Sequence, residues 1–138
     1  MHLKQKKIKD PCFVYKKFYS KNSVLLESQK NGRYSYIALN PYMIFKSKGD
    51  KIDIIKEKKR FVKKGNPISE LRHIMSSRKI KRTKDLPLFY SGAIGYFGYD
   101  TVHFFEKLPR TAKDDLKLPD IYLIFPKDII FFDHKKKI

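Results

Sequence analysis

Glu27 and Ser28 are the side chains in this sequence whose types and position could bind a small polar ligand. They directly follow the apolar run Val24-Leu25-Leu26, so a hydrophobic strand ending there could aim a carboxylate and a hydroxyl into a pocket. A carboxylate accepts hydrogen bonds and a hydroxyl both accepts and donates, which suits a ligand with an ammonium or amide group. The pattern alone favours a simpler interpretation, in which both residues face water at a strand end.

Gly92, Gly95 and Gly98 recur at every third position of an apolar and aromatic stretch. This spacing differs from the G-x-G-x-x-G fingerprint and from the P-loop, so the pattern argues against a nucleotide site. It predicts a structural role, the close approach of one backbone to another in a packed sheet, where a Cβ atom would collide.

The remaining polar residues give no metal or catalytic spacing. The histidines match neither H-E-x-x-H nor a Ser/His/Asp set, and we interpret them as isolated structural or surface residues; they are His2, His73, His103 and His134. Asp114, Asp115 and Asp120 could suggest a magnesium site because hard cations prefer carboxylate oxygens. Loop solvation and turn formation explain these aspartates as well. The sequence therefore predicts no metal ligand.

Composition indicates one folded domain of ordinary size, since 41% of the 138 residues are hydrophobic. The net charge of +18 invites a nucleic-acid or membrane partner. The lysines are spread along the chain and far outnumber the arginines, whereas a phosphate-binding surface more often gathers arginine on one element. We therefore predict a solvated basic surface, with neither nucleic acid nor membrane as partner.

The N-terminal segment and the single cysteine bear on location. Residues 1–10 are polar and rich in lysine, which predicts neither a secretory signal nor a membrane span. Cys12 is the one cysteine in the sequence, so no internal disulfide can form, which fits a reducing compartment. We predict a cytoplasmic protein.

In the first half of the chain the elements read as a helix, strands and a second helix. Asp10 is predicted to cap a helix that begins at Pro11. Strands are predicted over residues 23–28, 34–39, 42–47 and 51–55, with a break at Asn40-Pro41 and a hairpin around Gly49. Residues 56–64 are predicted to be a charged connector, followed by an amphipathic helix from Ile68 with Ser69 as its cap.

In the second half, residues 88–99 predict a buried strand, and Asp100 is placed to cap a following helix. Residues 121–125 and 129–133 predict a hairpin around Pro126, and residues 135–138 resemble the start of another strand, as expected of a fragment. The elements together predict an α+β fold of mainly antiparallel strands with a few short helices outside.

Several segments, in this order and at this spacing, resemble one enzyme family. They are Val24-Leu25-Leu26-Glu27-Ser28, Gly32-Arg33-Tyr34-Ser35-Tyr36-Ile37, Tyr90 to Asp100, Phe105 to Pro109, Asp114 to Leu116 and Leu118 to Asp120. The chain is similar, from about Asp10 onward, to the N-terminal domain of anthranilate synthase component I, the chorismate-utilising enzyme of tryptophan biosynthesis. The resemblance implies a two-sheet sandwich. It also implies that residues 1–138 form a single regulatory domain, truncated before the chorismate-binding C-terminal domain.

The resemblance further implies a site for L-tryptophan as feedback inhibitor. In the family, the Leu-Leu-Glu-Ser segment lines this site and the Gly-Arg-Tyr-Ser strand lies beside it. The implied residues are Leu26, Glu27, Ser28, Arg33, Tyr34 and Ser35. An amino-acid ligand needs an acceptor for its ammonium group, a donor for its carboxylate and an apolar wall for its ring.

For the intact enzyme, the resemblance implies conversion of chorismate to anthranilate and pyruvate, with ammonia from glutamine supplied by an amidotransferase subunit, component II. The family's catalytic carboxylates and Mg2+ ligands belong to the C-terminal domain. The chain alone is therefore expected to hold no catalytic residue, metal or cofactor, and to be inactive.

Two other functions remain open on the sequence. Aminodeoxychorismate synthase component I, of folate biosynthesis, shares the Gly-Tyr-x-x-Tyr-Asp segment found at residues 95–100, but the Leu-Leu-Glu-Ser and Gly-Arg-Tyr-Ser pair favours the tryptophan enzyme. A small basic nucleic-acid-binding domain is the alternative from another class. Stacking residues on an exposed sheet face and a steep salt dependence would support it.

Overall fold

The computed structural model describes residues 10–28, 32–77, 81, 86–87, 89–109 and 114–136. These residues divide into two compact units. The first draws on the described residues within Met1–Pro41, Arg82–Ser91 and Pro126–Ile138, and the second on those within Tyr42–Lys81 and Gly92–Phe125. The helices and strands are α1 (Pro11–Phe18), β1 (Val24–Leu26), β2 (Tyr34–Lys48), β3 (Lys51–Lys56), β4 (Lys59–Lys64), α2 (Pro67–Ser76), β5 (Ile94–Phe97), a 3-10 helix (Tyr99–Phe104) and β6 (Ile121–Asp133).

The described strands form a six-stranded sheet in the order β4-β3-β2-β6-β5, and β1 pairs with β2. The pairs β1–β2, β2–β3, β3–β4 and β5–β6 are antiparallel. A mainly antiparallel fold with a few short helices was predicted from the sequence and is confirmed. The two-sheet sandwich stays a prediction, because the described strands belong to one sheet.

The first unit is built around α1 and the paired ends of β1, β2 and β6. The predicted start of α1 is confirmed, since an Asp10 oxygen accepts a hydrogen bond from the Cys12 amide at 2.8 Å. Val14 of this helix packs with Ile37 and Phe132 in a buried cluster. The cluster includes residues of β1 and β2, the strands next to which Glu27, Ser28 and Arg33 lie in the chain.

The second unit has its own core, with α2 packed against the sheet through Ile68, Leu71 and Ile74. This helix was predicted, but its cap was assigned wrongly. Asn66, rather than Ser69, precedes the helix, and its side-chain oxygen accepts from the amides of Ile68 and Ser69 at 2.9 and 3.1 Å. Ser69 instead lies within the first turn.

The predicted connector over residues 56–64 is wrong, because Lys59–Lys64 forms β4 and pairs with β3 along its whole length. Glu57 and Lys58 join the two strands, and both have positive φ, +50° and +67°, as a type I′ turn requires. All six side chains of β4 are exposed. An edge strand of this kind has no buried face, so it shows no apolar alternation in the sequence.

The breaks predicted at the two prolines are also wrong, because β2 continues through Asn40 and Pro41 and β6 continues through Pro126. Asn40 adopts a φ of +50°, and its side-chain amide donates to Asp128 at 2.8 Å. A proline removes only its own N–H, and a local irregularity such as the one at Asn40 lets the strand continue. At the other end of β6, Lys135 and Lys136 lie in a turn rather than the predicted strand, and residues 137–138 lie outside the described ranges.

The glycine pattern has the predicted structural role at two positions. A Cβ atom on Gly95 would overlap the carbonyl oxygen of Tyr122, and the Gly98 amide donates to the carbonyl of Asp120 at 2.6 Å. Two expectations nearby are wrong. Only Ile94 of β5 is buried, and the 3-10 helix begins at Tyr99, after Gly98, without a side-chain cap from Asp100.

Candidate functional site

The ends of β1 and β2 lie side by side in the first unit. Leu26 pairs with Tyr36, and beyond this pair the Ser28 amide donates to the Ser35 hydroxyl oxygen at 2.9 Å. The hydrogen bond joins the two segments that the sequence singles out, Leu26-Glu27-Ser28 and Arg33-Tyr34-Ser35. Leu26 is 45% exposed and Glu27 is exposed. An apolar side chain and a carboxylate are thus both open to solvent at this strand end.

Glu27 has a partner on α1. The Cys12 thiol donates to a Glu27 carboxylate oxygen at 3.4 Å. This hydrogen bond is the main cause that raises the pKa of the Cys12 thiol, with burial adding to the effect. The contact thus links α1 to the carboxylate that follows β1.

Arg33 is held by a carboxylate at the end of β6. Its Nε lies 3.2 Å from both oxygens of Asp133, and its terminal nitrogen lies 2.8 Å from one of them. Asp133 is 3% exposed, and the fork from Arg33 is the main reason that its pKa falls to about 2. Asp133 also accepts from the amides of Lys135 and Lys136. The guanidinium group is therefore already paired, which restricts it as a donor to a ligand.

Ser35 sits between two strand ends. Its hydroxyl oxygen, which accepts from the Ser28 amide, lies 2.7 Å from Nε2 of His134. The His134 backbone amide donates to the Arg33 carbonyl at 2.9 Å. Ser35 is 0% exposed. Asp133, the last residue of β6, and His134, directly after it, thus both contact residues at the start of β2.

Aromatic rings line the same part of β2. The guanidinium carbon of Arg33 lies 4.8 Å from the centroid of the Tyr34 ring. Tyr34 meets Phe131 edge to face, with centroids 6.4 Å apart, and Tyr36 meets Phe89 in the same way at 5.6 Å. The start of β2 therefore combines a paired cation, a buried hydroxyl and a row of rings.

Comparison with known families gives a match over most of the chain. The family model described as chorismate binding enzyme matches residues 21–138. The chain belongs to this family. Within the family it is an anthranilate synthase component I-like region. It is 35% identical over 134 residues to anthranilate synthase component 1 of Acetivibrio thermocellus, an alignment that covers 92% of this chain and 27% of that protein.

Two further relatives bear on the function of this chorismate binding enzyme region. Aminodeoxychorismate synthase component 1 of Bacillus subtilis is 35% identical over 118 residues, covering 85% of this chain and 25% of that protein. The crystal structure of anthranilate synthase component I from Streptococcus pneumoniae matches with a TM-score of 0.65 and 26% identity, over 99% of this chain and 31% of that one. The chain thus spans about a quarter to a third of the length of these relatives.

Sequence reasoning missed Cys12, Asp133 and His134 as neighbours of the candidate site. Cys12 was weighed only as a possible disulfide partner. Asp133-His134 follows the apolar run of β6 just as Glu27-Ser28 follows that of β1. A polar pair directly after an apolar run was therefore the pattern that could have identified Asp133 and His134.

Two of the three aspartates weighed as magnesium ligands bind a lysine instead. Nζ of Lys48 lies 2.7 Å from Asp114 and 2.9 Å from Asp120, and Asp120 also accepts from the Gly49 amide. Within the ranges that the structure describes, no group of three or more His, Cys, Asp or Glu residues could hold a metal ion. These residues do not fit the Mg2+ expected of the intact family enzyme.

Two features bear on the nucleic-acid and membrane alternatives. Tyr96 and Tyr122 face each other across β5 and β6, but their rings stack on one another, with centroids 6.1 Å apart, and Nζ of Lys46 lies 4.9 Å from the Tyr122 centroid. One face of each ring is thus covered by the other ring, and Lys46 also contacts the Tyr122 ring. This weakens the case for stacking of nucleic-acid bases on these tyrosines. No helix in the described ranges is both long and apolar enough to cross a membrane.

Proposed function

We propose that this chain is the inhibitor-binding region of an anthranilate synthase component I, and that L-tryptophan binds at the joined ends of β1 and β2. The observation that carries the proposal is the hydrogen bond from Ser28 to Ser35, since it brings Leu26-Glu27-Ser28 beside Arg33-Tyr34-Ser35. The relative from Acetivibrio thermocellus supports the choice of enzyme.

The chemistry of the strand ends suits an amino acid with a large ring. Glu27 is exposed and would accept from the ligand's ammonium group, with the Ser28 hydroxyl as a second polar contact. Leu26 and Tyr34 would form the apolar wall for the indole. Arg33 is paired with Asp133, so its role is to hold Tyr34 through the cation–π contact and to lend positive charge near the ligand's carboxylate.

The complete enzyme would convert chorismate to anthranilate and pyruvate, with ammonia delivered by the component II amidotransferase. The remainder of that enzyme would supply the catalytic groups and the Mg2+ site, so this chain alone would not turn over chorismate. Bound tryptophan would favour an arrangement with a poor active site. Such coupling is reciprocal, so chorismate would weaken tryptophan binding by the same factor, typically about 5- to 150-fold.

The absence of tryptophan from the sequence makes the test direct. Because this chain holds no indole of its own, the fluorescence anisotropy of added L-tryptophan reports binding to it without background, and calorimetric titration reports binding to the completed protein. We would titrate L-tryptophan with this chain, and with the chain completed by the remaining length of the Acetivibrio thermocellus relative. Ser28→Ala is the test variant, and Ser69→Ala, an exposed serine of α2, is the matched control.

We expect the completed protein to bind L-tryptophan and Ser28→Ala to bind it at least several-fold more weakly, while Ser69→Ala binds normally. Binding that survives unchanged in Ser28→Ala would refute the site. The absence of binding in both forms of the wild-type protein would refute the regulatory function.

The second candidate is the corresponding region of aminodeoxychorismate synthase component 1, favoured by the 35% identity to the Bacillus subtilis protein. Under this alternative, L-tryptophan would not bind to the chain or to a completed protein.

A further inference from the structure

The hydroxyl of Ser35 is the meeting point of two hydrogen bonds from different parts of the chain. It accepts from the Ser28 amide at 2.9 Å, and it lies 2.7 Å from Nε2 of His134. Ser35 is 0% exposed, while His134, which is itself exposed, covers it. A hydroxyl has one hydrogen to donate and two lone pairs. Its orientation is therefore determined by both neighbours together.

Removal of His134 would leave this buried hydroxyl with one partner among the described residues. If the hydroxyl donates to a neutral imidazole, its hydrogen would lose its acceptor, and if the imidazole donates, a lone pair would lose its donor. Either way the hydroxyl could rotate away from the line of the Ser28 amide. The end of β1 would then lose one of the contacts that hold its direction.

We propose that His134 is a positioning residue of the inhibitor site, which acts through Ser35 to hold the backbone of Ser28 and so the direction in which β1 presents Glu27 and Ser28. The inference rests on the proposed function, because it concerns the same site. The backbone contact between His134 and Arg33 places the imidazole on the start of β2. His134 itself need not touch the ligand.

A catalytic role for the serine and histidine pair is excluded by the same geometry. A nucleophilic serine must reach its substrate, whereas Ser35 is fully buried. Its oxygen also already accepts from the Ser28 amide. The pair therefore organises the strand ends and performs no bond chemistry.

The first readout is independent of tryptophan. Amide hydrogen exchange at Ser28, measured on this chain, should be about tenfold faster in His134→Phe, because a buried hydrogen bond is typically worth about a factor of ten. His134→Gln should restore slow exchange, since its side-chain amide can both donate to and accept from Ser35. In a Ser35→Ala background, His134→Phe should add little, because both changes remove the same contact.

The second readout is tryptophan affinity in the completed protein. We expect His134→Phe to weaken binding roughly tenfold and His134→Gln to recover most of it. His73→Phe, the same change at an exposed histidine of α2, is the control and should bind like the wild type. Far-UV circular dichroism establishes that each variant is folded.

The two readouts separate the inference from the proposed function. Unchanged exchange at Ser28 in folded His134→Phe would overturn the positioning role, whatever tryptophan does. Equal tryptophan affinity in His134→Phe and the wild type would overturn it as well. If no protein binds tryptophan while exchange at Ser28 responds as expected, the proposed function fails, and with it the assignment of this contact to an inhibitor site.

Discussion

Two arginine–aspartate forks of nearly the same geometry lie in the two units of this protein. In the first unit, a terminal nitrogen of Arg33 meets Asp133 at 2.8 Å, and in the second, Arg60 meets Asp53 at 2.6 Å. In both forks the Nε also lies within hydrogen-bond distance of the two carboxylate oxygens. The partners are 100 residues apart in the first fork and 7 apart in the second.

The surroundings differ more than the distances. The Asp133 side chain is 4% exposed and also accepts from two backbone amides at the end of β6, whereas the Asp53 side chain is 16% exposed and pairs within one hairpin. The first fork therefore ties together strand ends that are far apart in the chain. The second fork reinforces strands that a tight turn already joins, so the same contact has a smaller structural role there.

Asp133→Ala should give the largest effect, a loss of about 1.5–3 kcal/mol in the free energy of unfolding, because it removes charged hydrogen bonds from a buried carboxylate. Urea unfolding followed by circular dichroism measures the loss. If this variant were as stable as the wild type, the claim that the buried fork contributes more stability than the exposed one would be wrong.

The next largest difference between the two forks is expected when the arginine and the aspartate of each fork are exchanged. Arg60→Asp combined with Asp53→Arg should recover most of the stability lost in either single variant, because that pair lies on the surface of one hairpin. Arg33→Asp combined with Asp133→Arg should recover little, because an arginine at position 133 cannot accept from the amides of Lys135 and Lys136. Double-mutant cycles measure both couplings, and equal recovery in the two forks would contradict the distinction.

Asp53→Ala should lower the free energy of unfolding by only about 0.5–1 kcal/mol, as is usual for a pair near the surface. The same urea experiment applies. If Asp53→Ala lost as much stability as Asp133→Ala, burial and distance along the sequence would not determine how much each fork stabilises the protein.

The first fork should also make the stability of the protein depend on pH in the acid range. The pKa of Asp133 lies at about 2 in the folded protein, below its ordinary value of 3.8, chiefly because of Arg33. Its stabilising contribution is therefore present above the ordinary value and is lost as pH falls through about 2. The unfolding midpoint should fall less steeply between these values in Asp133→Ala than in the wild type, and parallel profiles would argue against the fork.

Local residue types predicted the elements whose structure is decided locally. The cap by Asp10 and the hairpin at Gly49 follow from side chains within a few positions of each turn. β4 was missed because its register depends on pairing with β3, and its exposed lysines give no buried face to recognise. The prolines in β2 and β6 suggested breaks because their sheet partners cannot be known from the local sequence.

The same distinction applies to the candidate site. Leu26, Glu27 and Ser28, with Arg33, Tyr34 and Ser35, were named from two short segments, and their role in binding tryptophan stays a proposal. The contacts of Asp133 and His134 with these segments join residues about 100 positions apart. A local pattern, the polar pair after an apolar run, could mark Asp133 and His134 as candidates, but their contacts with Arg33 and Ser35 are visible only in the structure.

The hairpin of β3 and β4 carries lysine opposite lysine at both of its ends, Lys51 with Lys64 and Lys56 with Lys59. Like charges directly across a strand pair repel one another, and dissolved ions weaken that repulsion. We therefore expect formation of the hairpin to increase the association of anions with these lysines. Multivalent anions should order it more strongly than chloride at equal ionic strength, which makes this edge of the sheet sensitive to the ionic composition around it.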